Sequence, residues 1–217
     1  MKTCFRVVGS LLAATFCGSV WAESVDWGAY SGRTYTVAAG AEVTVAESEM
    51  AAFNQIGELK FADKTGKVVF DGCLTAPNVE ISGSGTIRKT GDAVWALSRQ
   101  LPNFTGQTVI GGGFVSLLDN HTLGNFESSS PAPSITVESG ATLCVSNKTV
   151  YLHRCRVYIA GSGFGGVGAI YNAAPGGSNR YGAGISLTDD ALVNFGVDEY
   201  VIGSLKLDGH TLRKTGA

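Results

Sequence analysis

Two neighbouring carboxylates, Asp189 and Asp190, are the residues of this sequence whose type and spacing best suit catalysis. A pair of carboxyl groups can cleave a glycosidic bond when one protonates the leaving oxygen and the other activates water. Such a site also needs a third acid and a basic or imidazole group in the same groove. The nearest histidine in the sequence, His210, falls in a predicted turn, and no cluster of acids with an arginine is evident. We therefore predict that Asp189 and Asp190 belong to a polar turn.

A glycine-rich stretch at 161–166 (GSGFGG) satisfies the pattern G-x-G-x-x-G after an apolar, strand-like run. In dinucleotide-binding proteins that pattern opens a helix, and the pyrophosphate sits at its N-terminus. The residues that follow, Val167, Gly168 and Ala169, run towards Pro175 and cannot supply that helix. The stretch predicts a turn, and no cofactor is assigned to it.

Histidines and cysteines show no metal-ligand spacing. His121, His153 and His210 are scattered, and the sequence has no Cys-x-x-Cys pair. His153 stands beside Arg154 and Arg156, a small basic spot that we interpret as part of a solvated face. No Ser-His-Asp order can be defended either. We assign no catalytic, cofactor-binding or metal-binding residues, and we predict that the protein is not an enzyme.

The N-terminal residues 1–22 have the three parts of a secretory signal. Lys2 and Arg6 precede an apolar stretch at 7–16, and small residues lead to Ala22. We predict cleavage after Ala22, so that the mature chain begins at Glu23. The apolar stretch is well short of the roughly 20 residues of a membrane-spanning helix, and no later stretch could span a bilayer.

Three of the five cysteines, Cys73, Cys144 and Cys155, lie beyond this segment. An odd number does not make a disulfide framework, and Cys144 alternates with its neighbours as a small apolar core residue would. A disulfide between Cys144 and Cys155 is an alternative. Lipidation of Cys17, at the end of the apolar stretch, is another.

Composition indicates an extracytoplasmic β-rich protein. The 217 residues are 44% hydrophobic and only 16% charged, they include 30 glycines, and the formal net charge is −2. Low charge with frequent glycine, threonine, serine and valine argues against a helical or disordered chain. Nothing in this charge balance calls for nucleic acid.

Short alternating strands and internal repeats predict how the chain is organised. Between 81 and 124, short apolar runs are separated by glycine or asparagine turns, which leaves no room for helices. The phrase TIRKTG at 86–91 returns as TLRKTG at 211–216, and TVAAGAEVTV at 36–45 returns as TVESGATLCV at 136–145. Self-similar strands of this kind are typical of a solenoid, in which each unit buries its apolar face against its neighbours.

The domain boundaries follow from this pattern. Residues 23–57 form an N-terminal cap and first coil, with a short helix predicted within 47–57, and residues 58–217 form the repeats. Two lateral loops are predicted at 125–134 and 161–184. The first copy of the repeated phrase is followed by more strands. We therefore expect either a truncated C-terminus that continues into further repeats or a translocator barrel, or an end that pairs with another chain.

Several motifs in the middle of the chain resemble the autotransporter-associated β-strand repeat, also called the passenger-associated transport repeat. The matching segments are ISGSGTIRKTG at 81–91, WALS at 95–98, NFTGQTVI at 103–110, GFV at 113–115 and TLG at 122–124. The segment 159–172 also looks like one found between such repeats. The chain departs from the family at 99–102 (RQLP), where a Gly-Asx turn is usual, and at Phe104, where tyrosine is usual. The resemblance implies a right-handed parallel β-helix displayed at, or secreted across, a Gram-negative outer membrane.

The sequence as a whole predicts an all-β fold, a right-handed parallel β-helix or β-solenoid with a short N-terminal cap. The expected function is that of an exported, non-catalytic passenger, a structural stalk or adhesin at the cell surface or outside the cell. Its expected partners are surface glycans or components of host or neighbouring cells, and not nucleic acid. The main alternative is a β-helix carbohydrate-active enzyme, a polysaccharide lyase or glycoside hydrolase. A third is a specific binding module that uses the two lateral loops.

Overall fold

The chain winds into stacked coils whose strands pair in parallel with the coils above and below. The computed structural model describes residues 24–119, 122–124, 132–146, 152, 155–173, 179–195 and 200–216. About seven turns form a right-handed parallel β-helix with little helical structure, which confirms the predicted fold class. The strands line three faces of the stack.

The first face carries the longest ladder of paired strands. Each strand of this ladder pairs with the equivalent strand of the next coil. Its strands are β2 (Glu42–Ala46), β4 (Lys67–Asp71), β6 (Thr86–Lys89), β8 (Gln107–Ile110), β10 (Ser134–Val137), β12 (Arg156–Gly161), β14 (Asn179–Asn194) and β15 (Tyr200–Lys206). The first four residues of the repeated phrase at 86–91 form β6, one of the central strands.

The second face is formed by the strands that follow the next bend of each coil. They are β7 (Val94–Leu97), β9 (Gly113–Leu117), β11 (Ala141–Val145), β13 (Ile170–Asn172) and β16 (Leu212–Thr215). The long strand β14 bends through both faces, since Ile185 pairs with Val157 of β12 and Val193 pairs with Ile170 of β13. The third face has three strands, β1 (Thr34–Val37), β3 (Glu58–Phe61) and β5 (Glu80–Ser82).

The core consists of columns of inward side chains, because successive residues of a strand point to opposite sides of the sheet. On the first face the parallel register stacks two such columns. One contains Val43, Val68, Ile87, Thr108, Ile135, Val157 and Ile185. The other contains Val45, Phe70, Lys89, Ile110, Val137, Ile159 and Leu187. Every member is buried, and Thr108 and Lys89 are the two polar members.

A glycine column lets three successive coils approach closely. Gly66, Gly85 and Gly106 immediately precede β4, β6 and β8. The amide of Thr86 donates to Gly66 O at 2.9 Å, and that of Gln107 donates to Gly85 O at 3.0 Å. A Cβ on Gly106 would lie 1.9 Å from Gly85 O, which is a severe clash. Only glycine therefore fits at this position. The punctuating glycines of the sequence are therefore contacts between coils as well as turns.

Aromatic rings and short helices cover one end of the stack. A 3₁₀ helix (Trp27–Tyr30) precedes β1, and a second 3₁₀ helix (Glu47–Glu49) leads into α1 (Met50–Phe53). The latter two confirm the short helix predicted within 47–57. The Trp27 ring contacts Phe53 and Tyr35, each with a 5.0 Å centroid separation, and Phe53 in turn contacts Phe70 at 5.2 Å. These edge-on contacts join the N-terminal residues to the interior of the second coil.

The prediction of a lateral loop over the whole of 161–184 is wrong, because two strands begin within this range. A 3₁₀ turn (Phe164–Gly166) is followed by β13, and β14 already begins at Asn179. The short run Ile170-Tyr171-Asn172 forms a strand because Ile170 is fully buried and pairs with Leu143 of the coil below. Tertiary burial outweighs the high glycine content around it.

Other predictions fall largely outside the described residues. These are the signal segment 1–22 and residues 125–131 of the loop predicted at 125–134. Strand β10 begins at Ser134, the last residue of that predicted loop. Among the residues that the structure describes, no helix is long and apolar enough to cross a bilayer.

Candidate functional site

The carboxylate pair and His210 come together on the surface, a convergence that the sequence did not predict. Asp189 and Asp190 lie in the middle of β14, and His210 precedes β16 in the next coil. His210 Nδ1 is 3.9 Å from Asp189 Oδ1 and 4.0 Å from Asp190 Oδ1. One candidate ligand atom from each residue lies within 4.8 Å of the others. Two carboxylates and an imidazole at such distances could in principle transfer protons or hold a divalent cation.

Backbone hydrogen bonds show what the two carboxylates do in the structure. Asp189 Oδ1 accepts the amide of Asp190 at 2.7 Å, and Asp190 Oδ1 accepts the amide of Thr211 in the next coil, also at 2.7 Å. The Asp189 and Asp190 side chains are 73% and 71% exposed. Water therefore competes for any ligand there. The predicted turn is instead an exposed irregularity within β14, where the register with β12 shifts between Leu187 and Ala191, and Asp190 there holds the next coil. His121 and His153 lie outside the described residues.

The G-x-G-x-x-G stretch at 161–166 forms a tight turn, as predicted, and does not open an α-helix. The Phe164 amide donates to Thr142 Oγ1 at 2.8 Å, and the same hydroxyl donates to Gly168 O at 2.7 Å. Gly163 has φ +82°, and a Cβ there would lie 2.1 Å from Gly168 O. The glycines close this turn over Thr142 of β11.

The three cysteines beyond residue 22 are free buried thiols. The alternative disulfide between Cys144 and Cys155 is not formed, and Cys144 is buried, as predicted. Burial raises the pKa of Cys73 to about 11, with a further contribution from Glu47, and burial also raises the pKa values of Cys144 and Cys155. Because the thiolate is the nucleophile and metal ligand, these thiols are poorly reactive.

Lys89 is a buried ammonium group that sequence reasoning missed as a feature of its own. Its side chain is 1% exposed, and Nζ donates to Gly91 O at 2.9 Å and to Gly112 O at 2.8 Å. The ammonium also lies 5.5 Å from the centroid of the Trp95 ring. Desolvation lowers the pKa of Lys89. Because Gly112 lies one coil further along, this hydrogen bond from Lys89 joins two coils.

Lys89 and the orphan hydroxyl of Thr108 border the same small internal cavity. The cavity has a volume of about 30 Å³ and mostly apolar walls that include Ile87, Trp95 and Leu97. Arg99 and Thr122 also line it. Thr108 Oγ1 is buried without a hydrogen-bond partner. A cavity needs at least about 10–15 Å³ to hold one water, so this space suits internal water and is too small for a substrate.

A larger groove of about 750 Å³ crosses the outside of the first face, from the second coil to the seventh. Its hydrogen-bonding side chains are mostly neutral: Thr86, Gln107, Ser134, Thr136, Tyr158 and Thr188. We call this feature the first-face groove. The register places Thr86 beside Gln107 and Gln107 beside Ser134, so the same positions of successive strands build it. Only the combination of fold and register reveals it, since its residues are spread over more than 100 positions of the sequence.

An ion pair lies on the outside of the same face. Arg88 donates two hydrogen bonds to Glu138, Nη1 to Oε1 at 2.8 Å and Nη2 to Oε2 at 2.7 Å. This bidentate pair passes over Gly111, where a Cβ would lie 2.9 Å from Arg88 Nη2. Hydrogen bonding to Arg88 lowers the pKa of Glu138. The pair links the third coil to the fifth.

The fold and these sites define the chain as a parallel β-solenoid with an apolar interior and a polar groove on its surface. No family model, curated protein or solved structure matches the chain.

Proposed function

We propose that the chain is the exported, non-catalytic passenger of an autotransporter-like surface protein, and that it acts as a stalk or adhesive face. One observation carries this proposal. The segment that resembles the passenger-associated repeat, 81–124, contains the end of β5 and the four strands β6 to β9, which belong to two adjacent coils in the middle of the stack. Its distinctive residues, Lys89 and the glycines, make the contacts between coils.

The mechanics of the stack support a structural role. Each coil buries its apolar residues against its neighbours, and each strand of the first face is hydrogen-bonded to the coils beside it. Ion pairs between Lys67 and Glu42 and between Arg88 and Glu138 add contacts along the axis. About seven turns at about 4.8 Å each give a rod of roughly 30 Å.

Processing and location test the export part of the proposal. The full chain is expressed in a Gram-negative host, cell fractions are separated, and the N-terminus of the product is sequenced. We expect cleavage after Ala22, a mature chain beginning at Glu23, and protein outside the cytoplasm. The variant Ala22→Arg should prevent cleavage, because the site requires a small residue there. Uncleaved wild-type protein confined to the cytoplasm would refute export.

A carbohydrate-active enzyme is the second candidate, and the position of His210 beside Asp189 and Asp190 is the observation that favours it. Arg213 lines a shallow groove together with Asp190, which supplies a basic group as well. The test is incubation with plant and bacterial polysaccharides, followed by assay for new reducing ends or unsaturated products. The stalk proposal predicts no release. Release that disappears in Asp190→Asn would establish the enzyme instead.

A further inference from the structure

We propose that the first-face groove is a binding site for a neutral, linear oligosaccharide that lies along the axis of the solenoid. The inference gives the adhesive face a ligand class, so it rests on the proposed function, but it concerns a site on the folded protein that does not depend on export. Its volume of about 750 Å³ falls within the range of about 300–1,000 Å³ typical of ligand pockets.

The polar groups of the groove suit a polyol. Thr86, Ser134, Thr136 and Thr188 contribute hydroxyls, and Gln107 contributes an amide. A hydroxyl offers one donor and two acceptor lone pairs, so the groove can both donate to and accept from sugar hydroxyls. Gln107 Nε2 donates to Thr136 Oγ1 at 3.1 Å, which holds the amide in a fixed orientation on the strand surface. These side chains are thus pre-organised by the sheet.

Tyr158 supplies the aromatic surface of the groove. It lies on β12, directly beside Thr136 of β10 in the parallel register, and its side chain is half-buried. An aromatic ring packs well against the apolar C–H face of a pyranose, while a tyrosine hydroxyl can bond to its polar edge. The combination of one ring and several neutral hydrogen-bonding groups is the chemistry that recognises a sugar.

The described lining of the first-face groove has too few cations for a polyanionic ligand. Among the described residues that line it, Lys64 is the one charged side chain. A polyanion such as a uronic-acid chain or a nucleic acid needs several cations to replace its counterions. Charged groups line an adjoining groove, which shares Tyr158 and Thr188 with the first-face groove and adds Arg156, Lys206 and Asp208. Of these, Arg156 lies directly beside Ser134 in the register. A neutral chain is therefore the occupant that fits the first-face groove.

The repeat of the solenoid matches that of a linear glycan. Successive coils present the equivalent positions Thr86, Gln107 and Ser134 at intervals of about 4.8 Å, the spacing of neighbouring strands. An extended β-1,4-linked sugar chain advances by a similar distance per residue. Because neighbouring sugars of such a chain face opposite ways, every second sugar presents the same face, and it meets the corresponding strand position two coils further along.

Calorimetric titration of the purified protein tests this inference. The probes are hexasaccharides of β-1,4-linked glucose, xylose and mannose, with a hexagalacturonate and a heparin hexasaccharide as charged counterparts. We expect at least one neutral hexasaccharide to bind, and Tyr158→Ala to weaken that binding by about tenfold through loss of the ring contact. Tyr158→Phe, which keeps the ring, should retain most of the affinity.

Matched variants separate the groove from a general effect on the fold. Tyr171→Ala removes a half-buried tyrosine from the second face and should leave the affinity unchanged. Thr136→Val removes one groove hydroxyl with almost no change of shape, and should weaken binding if Tyr158→Ala fails to fold. Binding of none of the neutral probes, binding of the charged probes only, or binding unaffected by the folded groove variants would each overturn the inference. These outcomes leave the export test untouched, so the two proposals fail separately.

Discussion

At the scale of single residues, the least expected feature is a lysine in an apolar column. Lys89 takes the place that Phe70 and Ile110 occupy in the coils before and after it. Its ammonium is satisfied by backbone carbonyls of its own turn and of the next coil. The cost of burying this charge is offset by hydrogen bonds that hold two turns together.

Replacing Lys89 tests this role. We expect Lys89→Met to destabilise the protein by about 1–3 kcal/mol, because the buried carbonyls of Gly91 and Gly112 lose their donor. Lys214, in the second copy of the same phrase, is exposed and is the matched control. Lys214→Met should change stability by less than about 0.5 kcal/mol. Urea unfolding of both variants measures the difference, and equal effects at the two positions would contradict the assignment.

Acid pH should weaken the pair formed by Arg88 and Glu138. Since the pKa of Glu138 is lowered in the fold, its contribution is fully present above the unfolded pKa of about 4.3. It is lost as the pH falls from there through the lowered folded pKa. Because the Glu138 side chain is 40% exposed, we expect less than about 1 kcal/mol.

The measurement is the stability difference between the wild type and Glu138→Gln, obtained from urea unfolding at pH 7 and in acid. The difference should shrink in acid and also at high salt, which screens a partly exposed pair. A difference that stays constant with pH would show that the ion pair does not stabilise the fold.

Individual residues also show where sequence reasoning succeeds and where it stops. The burial of Cys144 was predicted from its apolar neighbours, a local signal. Alternation places its side chain on the opposite side of β11 from Leu143 and Val145, however, so the packing around the strand decides its burial. The approach of His210 to Asp189 was not predicted, because it depends on stacking one coil on the next. In the sequence, Lys89 stands out only as part of the repeated phrase at 86–91. Its burial needs the register that places Gly112 above it.

At the scale of elements, the distance between coils is set by glycine. At Gly85 and Gly106 a Cβ would lie 2.7 Å and 1.9 Å from the carbonyl oxygen of the preceding glycine in the column, which leaves no space for a side chain. Turn chemistry predicted these glycines as punctuation, and strands such as β7 and β9 were predictable from alternation between them. The strand β13 was not, because three residues inside a glycine-rich region carry too little pattern. The pairing of β13 with β11 and β14, and not its own sequence, makes these residues a strand.

The Gly106→Ala variant tests the glycine column. A Cβ would lie 1.9 Å from Gly85 O, and a backbone oxygen cannot rotate away, so the third and fourth coils must separate. We expect a loss of about 3 kcal/mol in the free energy of unfolding. In Gly28→Ala the Cβ would lie 3.3 Å from the flexible Asp26 side chain, and we expect a change below about 0.5 kcal/mol. Comparable unfolding midpoints for the two variants would refute the close packing of coils.

At the scale of the whole molecule, the described residues form one solenoid that combines a closed apolar interior with a repetitive outer surface. The interior columns explain why no large enclosed site is found within the described part of the stack, where the internal cavity has only about 30 Å³. Binding is therefore expected on the outside, where the register repeats side chains such as Thr86 and Gln107 along the axis. Sequence patterns predicted the solenoid, but the first-face groove depends on which positions of different coils stack.

Disulfide trapping tests the stacked register most directly. Thr86 and Gln107 are direct partners on adjacent coils, about 4.8 Å apart, which a disulfide can bridge. Thr86 and Ser134 lie two coils apart at about 9.6 Å, beyond disulfide reach. The three native thiols that the structure describes, Cys73, Cys144 and Cys155, are buried with raised pKa values and should not interfere.

Mild oxidation followed by mass spectrometry of the proteolytic fragments is the decisive measurement. The account predicts a disulfide in the double variant Thr86→Cys with Gln107→Cys, and none in Thr86→Cys with Ser134→Cys. A disulfide in the second variant, or two alkylatable but unlinked thiols in the first, would contradict the parallel β-helix.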